Sequence, residues 1–141
     1  MRWVTLASQV HSHNSLLTIA LKRPAGDTVQ FAEFVERNIR LHHIRYVSSS
    51  SDGQQFSSSN STPQSHHHEL RPQSAASWIR RSLADSIRSR RPYSVNVLLG
   101  GYDEATSTPH LYWIDYLGTM ANVPYAAHGY GAYFALSLLD R

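Results

Sequence analysis

The chain has 141 residues, 41% of them hydrophobic and only 16% charged, with a formal net charge of +3. That length supports one domain with a real core. Because there is no cysteine, a disulfide scaffold, a thiolate zinc site and a cysteine nucleophile are all excluded.

Serine and histidine fill the gap left by the low charge, and they do so unevenly. The arginines are also concentrated, so the positive charge describes local patches rather than a field around the whole molecule. The sequence contains no run of about 20 apolar residues such as a membrane-spanning helix needs. Residues 1–25 hold Arg2, Lys22 and Arg23 with no acid, as a mitochondrial presequence would. Their amphipathic pattern is weak, which makes that reading secondary.

In chain order, Ser15–Leu21 (SLLTIAL) reads as a short buried strand. It stops at Lys22-Arg23-Pro24, since proline cannot donate to a ladder. A helix opens next, with Asp27 as N-cap and Gln30 completing a capping-box pattern. Thr28, Phe31, Ala32, Val35 and Ile39 share one apolar face, and the helix is expected to end near His43. Tyr46–His68 (YVSSSSDGQQFSSSNSTPQSHHH) has too little apolar surface to offset its ordering entropy. It is expected to be a flexible, disordered insertion.

Pro72 suits the first turn of a second helix, with Ala76, Ile79, Leu83 and Ile87 as its core face and Pro92 beyond its end. Tyr93–Tyr102 and His110–Tyr116 read as two strands of an antiparallel hairpin joined by a polar turn. Leu117-Gly118-Thr119 turns again, and a short strand within Met120–Ala127 is broken at Pro124. Gly129-Tyr130-Gly131 then leads into an apolar helix, Ala132–Leu139.

Three kinds of residue could carry chemistry. The histidines fall at His11 and His13, His42 and His43, and His66–His68. No carboxylate or cysteine stands at a structural-site spacing beside them, so no metal site is expected. Arg80, Arg81, Arg88, Arg90 and Arg91, with Trp78 and Tyr93 for stacking, could form a nucleic-acid footprint. A solvated helix face, or one meeting acidic neighbours, is the plainer reading. Asp103, Glu104, Asp115 and Asp140 are separated by strands and turns and make no acid–base pair.

Three blocks of the chain carry a resemblance. They are AGDTVQFAEFV (Ala25–Val35), ADSIRSRRPYSVNVLLGGYDE (Ala84–Glu104), and LYWIDYLGT (Leu111–Thr119) followed by PYAAHGYGAYFALSLLDR (Pro124–Arg141). In this order and spacing they resemble the β subunits of the eukaryotic proteasome, most closely the β-4 branch in its fungal form. The match runs over about Ser15–Arg45 and Glu69–Arg141.

The resemblance implies an α+β chain with the N-terminal nucleophile hydrolase fold, a four-layer αββα sandwich of two antiparallel sheets. It implies a structural, non-catalytic role in an inner seven-membered ring of the 20S core, and hence in ATP- and ubiquitin-dependent protein degradation in cytoplasm and nucleus. The implied partners are other β subunits of the same and the opposite ring and the α-ring subunits, with no nucleic acid, no membrane and no cofactor. The alternatives are a basic-helix nucleic-acid-binding module and a non-functional fragment.

Active members of the family use an N-terminal threonine whose own amine assists as base. Here Met1 comes first, and Thr5 follows Val4 without the glycine that marks the cleavage point. Arg23 stands where active members place a glycine whose amide faces the oxyanion. No catalytic residue is therefore expected. Residues 1–14 (MRWVTLASQVHSHN) do not align with the family's opening strands and are expected to be disordered. The insertion at about residues 46–68 separates helices that the family joins by a short turn, and the family's closing part does not follow Arg141. A mis-spliced or incomplete gene model would produce this pattern. A chain lacking those edges is expected to aggregate when expressed alone.

Overall fold

Val95, Val97 and Leu99 alternate with Ser94, Asn96 and Leu98, which sends one apolar set to a single face of an extended chain. In the computed structural model, which describes residues 8–11, 16–22, 26–51 and 70–141, the sheet is built around this segment. The elements are β1 (Ser8–His11), β2 (Leu16–Lys22), α1 (Asp27–Ser51), α2 (Pro72–Arg88), β3 (Asn96–Asp103), β4 (Thr108–Ile114), β5 (Met120–Asn122) and α3 (Ala132–Leu139). The strands form one sheet in the order β1-β2-β3-β4-β5, antiparallel throughout. Central β3 pairs with β2 from Leu17–Gly101 to Lys22–Asn96, and with β4 from Val97–Ile114 to Asp103–Thr108.

The chain leaves β2, makes α1 and α2, and returns as the neighbouring strand β3. The helix pair covers one sheet face. Phe31, Val35 and Ile39 of α1 and Ala75, Ala76, Ile79 and Leu83 of α2 pack with Val95, Val97, Leu99, Tyr112 and Ile114. Each of the larger side chains contributes about 1.5–3 kcal/mol by leaving water. Aromatic contacts reinforce the seam, with Phe31 lying 5.3 Å from Tyr93 and Phe34 stacked 5.6 Å from Trp78.

The β4–β5 turn ties the sheet to α2. The Asp115 carboxylate accepts from the amides of Leu117 (3.0 Å) and Thr119 (2.7 Å). Within that turn Gly118 has φ +81°, and a Cβ there would lie 2.9 Å from the Ala84 Cβ. The turn can lie this close to the helix only with glycine. Arg80 Nε donates to the Gly118 carbonyl at 3.0 Å, clamping the turn in place.

Four local expectations change. The Gly26 carbonyl accepts from the Gln30 amide at 3.4 Å, so Gly26 occupies the cap and Asp27 the first helical position. There its negative charge still complements the positive end of the helix dipole. The helix also continues past His43 to Ser51, into the start of the segment expected to be flexible; residues 52–69 lie outside the described residues. In the N-terminal segment, Ser8–His11 forms β1 along the outer edge of β2. That pairing uses backbone groups, which need no apolar pattern, whereas residues 1–7 and 12–15 lie outside the described residues. Finally, Ile87 is 40% exposed while Ser86 is buried.

Ser86 is buried where its hydroxyl ties the last turns of the helix to the chain that follows. It donates to the Leu83 carbonyl (2.7 Å) and accepts from the Tyr93 amide (3.2 Å). Ser89 repeats the device one turn later, donating to the Ser86 carbonyl (2.6 Å) and accepting from the Arg91 amide (3.3 Å).

The described residues are thus α+β, with one antiparallel sheet and a two-helix layer. No helix among them is long and apolar enough to cross a membrane.

Candidate interaction surface

The second sheet face is treated differently. Leu98, Leu111 and Trp113 are half-buried there, and Tyr102 is exposed. Part of their cover comes from the segment leading to α3, where His128 stacks on Trp113 at 5.5 Å. Of the two glycines flanking Tyr130, only Gly129 needs its freedom, with φ +93°, whereas Gly131 lies at −65°. The Gly129 and Gly131 carbonyls accept from Ala132 and Ala135, both at 2.9 Å, and this starts α3.

At the far end of α3 the Asp140 amide donates to the Leu136 carbonyl at 2.9 Å. Tyr125 donates to the Asp140 carboxylate at 2.5 Å. That hydrogen bond, then burial and the carboxylate charge, raises the Tyr125 pKa above its ordinary 10.0.

The sequence of α3, AYFALSLL, is apolar almost all round, yet none of its residues is buried. Tyr133 is 79% exposed, Phe134 78% and Leu138 73%. Phe134 and Leu138, four residues apart, share a face. A helix of this composition in water is an unmet contact surface.

The arginines do not assemble with the aromatics as a stacking platform would require. Trp78 is engaged by Phe34 and Tyr93 by Phe31. Arg80 is held by the Gly118 carbonyl, and Arg81 lies 3.9 Å from Asp85. Arg88, Arg90 and Arg91 are exposed at the end of α2.

The acids have structural duties. Asp103 is buried at the hairpin turn and accepts from the Ala105 amide at 3.0 Å. Burial, and secondarily the Asp103 charge, raises the pKa of Tyr112 above 10.0. Asp115 is engaged by the turn amides and Asp140 by Tyr125. His11 and His43 belong to β1 and α1, and His42 is exposed on α1. His13, His66–His68, Thr5 and Arg23 lie outside the described residues. Among the described residues no group of three or more His, Cys, Asp or Glu could hold a metal ion. Sequence reasoning missed Ser86 and Ser89, whose role depends on the path of the chain after the helix.

The sequence profile of the family described as proteasome subunit matches residues 57–141. The chain is 47% identical over 133 residues to the probable proteasome subunit beta type-4 of Meyerozyma guilliermondii, covering 94% of the chain and 57% of that relative. To the proteasome subunit beta type-4 of Saccharomyces cerevisiae it is 49% identical over 117 residues, covering 83% of the chain and 49% of that relative. The proteasome subunit beta type-2 of Dictyostelium discoideum is 38% identical over 135 residues, with 94% and 56% covered. The chain belongs to the proteasome subunit family. Within it, the similarity is to β subunits named type 4 in fungi and type 2 elsewhere. The chain spans about half the length of these relatives.

Proposed function

We propose that the chain serves as a structural, non-catalytic β subunit of the 20S proteasome core. Its work is packing against other β subunits of its own and the opposite ring and against the α ring. It thereby contributes to ubiquitin-dependent protein degradation in cytoplasm and nucleus, while the hydrolysis occurs on other subunits. A second sheet and a second helix layer would complete the N-terminal nucleophile hydrolase sandwich over the half-covered sheet face.

The observation that carries this reading is α3, whose exposed Tyr133, Phe134 and Leu138 form a surface that only packing would satisfy. The non-catalytic part rests on the sequence, where Arg23 replaces the glycine expected near the oxyanion. The test is to tag the chain in cells and fractionate 20S particles on a glycerol gradient. Co-migration with the particles supports the reading; a tag found only in small fractions refutes it. A fluorogenic-peptide assay of the isolated chain should give no turnover, and threonine-dependent turnover would overturn the non-catalytic role.

A further inference from the structure

The last residue of α2 and the loop that follows it hold Arg88, Arg90 and Arg91 within four positions, all exposed. Among the described residues no ion pair or hydrogen bond engages their guanidinium groups. Arg37 and Arg40, by contrast, pair with Glu33 and Glu36 at 3.2 and 2.7 Å. The backbone beneath the cluster is pinned at both ends. The Ser89 hydroxyl joins the Ser86 carbonyl to the Arg91 amide, and the Ser86 hydroxyl joins the Leu83 carbonyl to the Tyr93 amide. Unpaired like charges are thus carried on a helix end and a loop whose course is fixed, which lowers the ordering cost of binding.

We propose that Arg88, Arg90 and Arg91 form a docking site for a carboxylate-rich segment of a partner protein. The guanidinium fork matches a carboxylate in a bidentate fashion, and three forks in close sequence fit a short acidic stretch. A nucleic acid fits less well. The aromatic rings that could stack on bases are occupied, Trp78 by Phe34 and Tyr93 by Phe31. Three guanidinium groups also release few counterions, compared with the roughly six to ten phosphate contacts of a typical DNA-binding surface. The site draws on the assembly reading only in taking the partner to be another subunit.

The test uses the 141-residue chain, immobilised sparsely on resin through its N-terminus so that copies cannot meet. The probes are a fluorescein-labelled hexaglutamate peptide and a uridine hexanucleotide of similar charge. The combined Arg88→Gln, Arg90→Gln and Arg91→Gln variant should weaken hexaglutamate binding by about tenfold or more. The combined Arg37→Gln, Arg40→Gln and Arg45→Gln variant removes the same formal charge from the helix layer. It should change binding by less than about twofold. Salt at about 1 M, where the Debye length is about 3 Å, should abolish the interaction. Equal weakening by both variants would reduce the effect to net charge and overturn the site. Tighter binding of the hexanucleotide through the same arginines would overturn the choice of partner. Absence of hexaglutamate binding to the unaltered chain would also reject it, and would leave co-migration with 20S particles as a separate question.

Discussion

Gly118 meets two constraints at once, a positive φ of 81° and a helix surface 2.9 Å from where a Cβ would stand. Gly118→Ala should cost about 1–2 kcal/mol for the backbone alone, with the clash against Ala84 added. A thermal melt followed by circular dichroism should drop by several degrees. Adding Ala84→Gly should recover the clash portion but not the backbone portion, a coupling that a double-mutant cycle measures. Ser86→Ala strips the Tyr93 amide of its acceptor and should cost about 1–3 kcal/mol; an unchanged melt would mean that the helix end does not depend on it.

Tyr112 adds a pH dependence. Its folded pKa is raised above 10.0 by burial and by Asp103, so the folded chain holds that proton more tightly than the unfolded one. The resulting stability is fully present below about pH 10 and is lost as pH rises through the folded value. Tyr112→Phe should therefore flatten the alkaline fall in melting temperature. An equally steep fall in the variant would assign the effect elsewhere, for instance to Tyr125.

At the level of elements, the strands and helix faces were legible wherever a period was enforced by one dry side. Phe31, Val35 and Ile39 recur at helical spacing, and Val95, Val97 and Leu99 alternate; burial follows directly from both patterns. The pattern was silent where backbone or hydroxyl groups did the bonding. Pairing along β1 needs no apolar side chains, and the last turns of α2 are tied to the following chain through Ser86 rather than packed through Ile87. The candidate surface was legible in one half. The apolar character of α3 stands in the sequence, but its exposure does not, because an apolar run normally signals burial. Phe134→Lys together with Leu138→Lys should suppress self-association in analytical ultracentrifugation. Since both side chains are more than two-thirds exposed, the melting temperature should change little. A large fall in stability would mean that α3 is already packed within the chain.

For the whole molecule, one antiparallel sheet carries a helix pair on one face and incomplete cover on the other. Family membership explains the asymmetry if assembly and further layers supply the missing contacts. The arginine cluster at the end of α2 and the apolar face of α3 then become two chemically different contacts, one salt-sensitive and one not. The most direct measurement is glycerol-gradient fractionation of cells expressing the tagged chain, with 20S particles followed by their peptidase activity. Assembly predicts that the tag sediments with that activity, and that the Phe134→Lys, Leu138→Lys variant moves to the small fractions. A tag that never enters the 20S fractions, with the chain intact and folded, would contradict a structural role in the core.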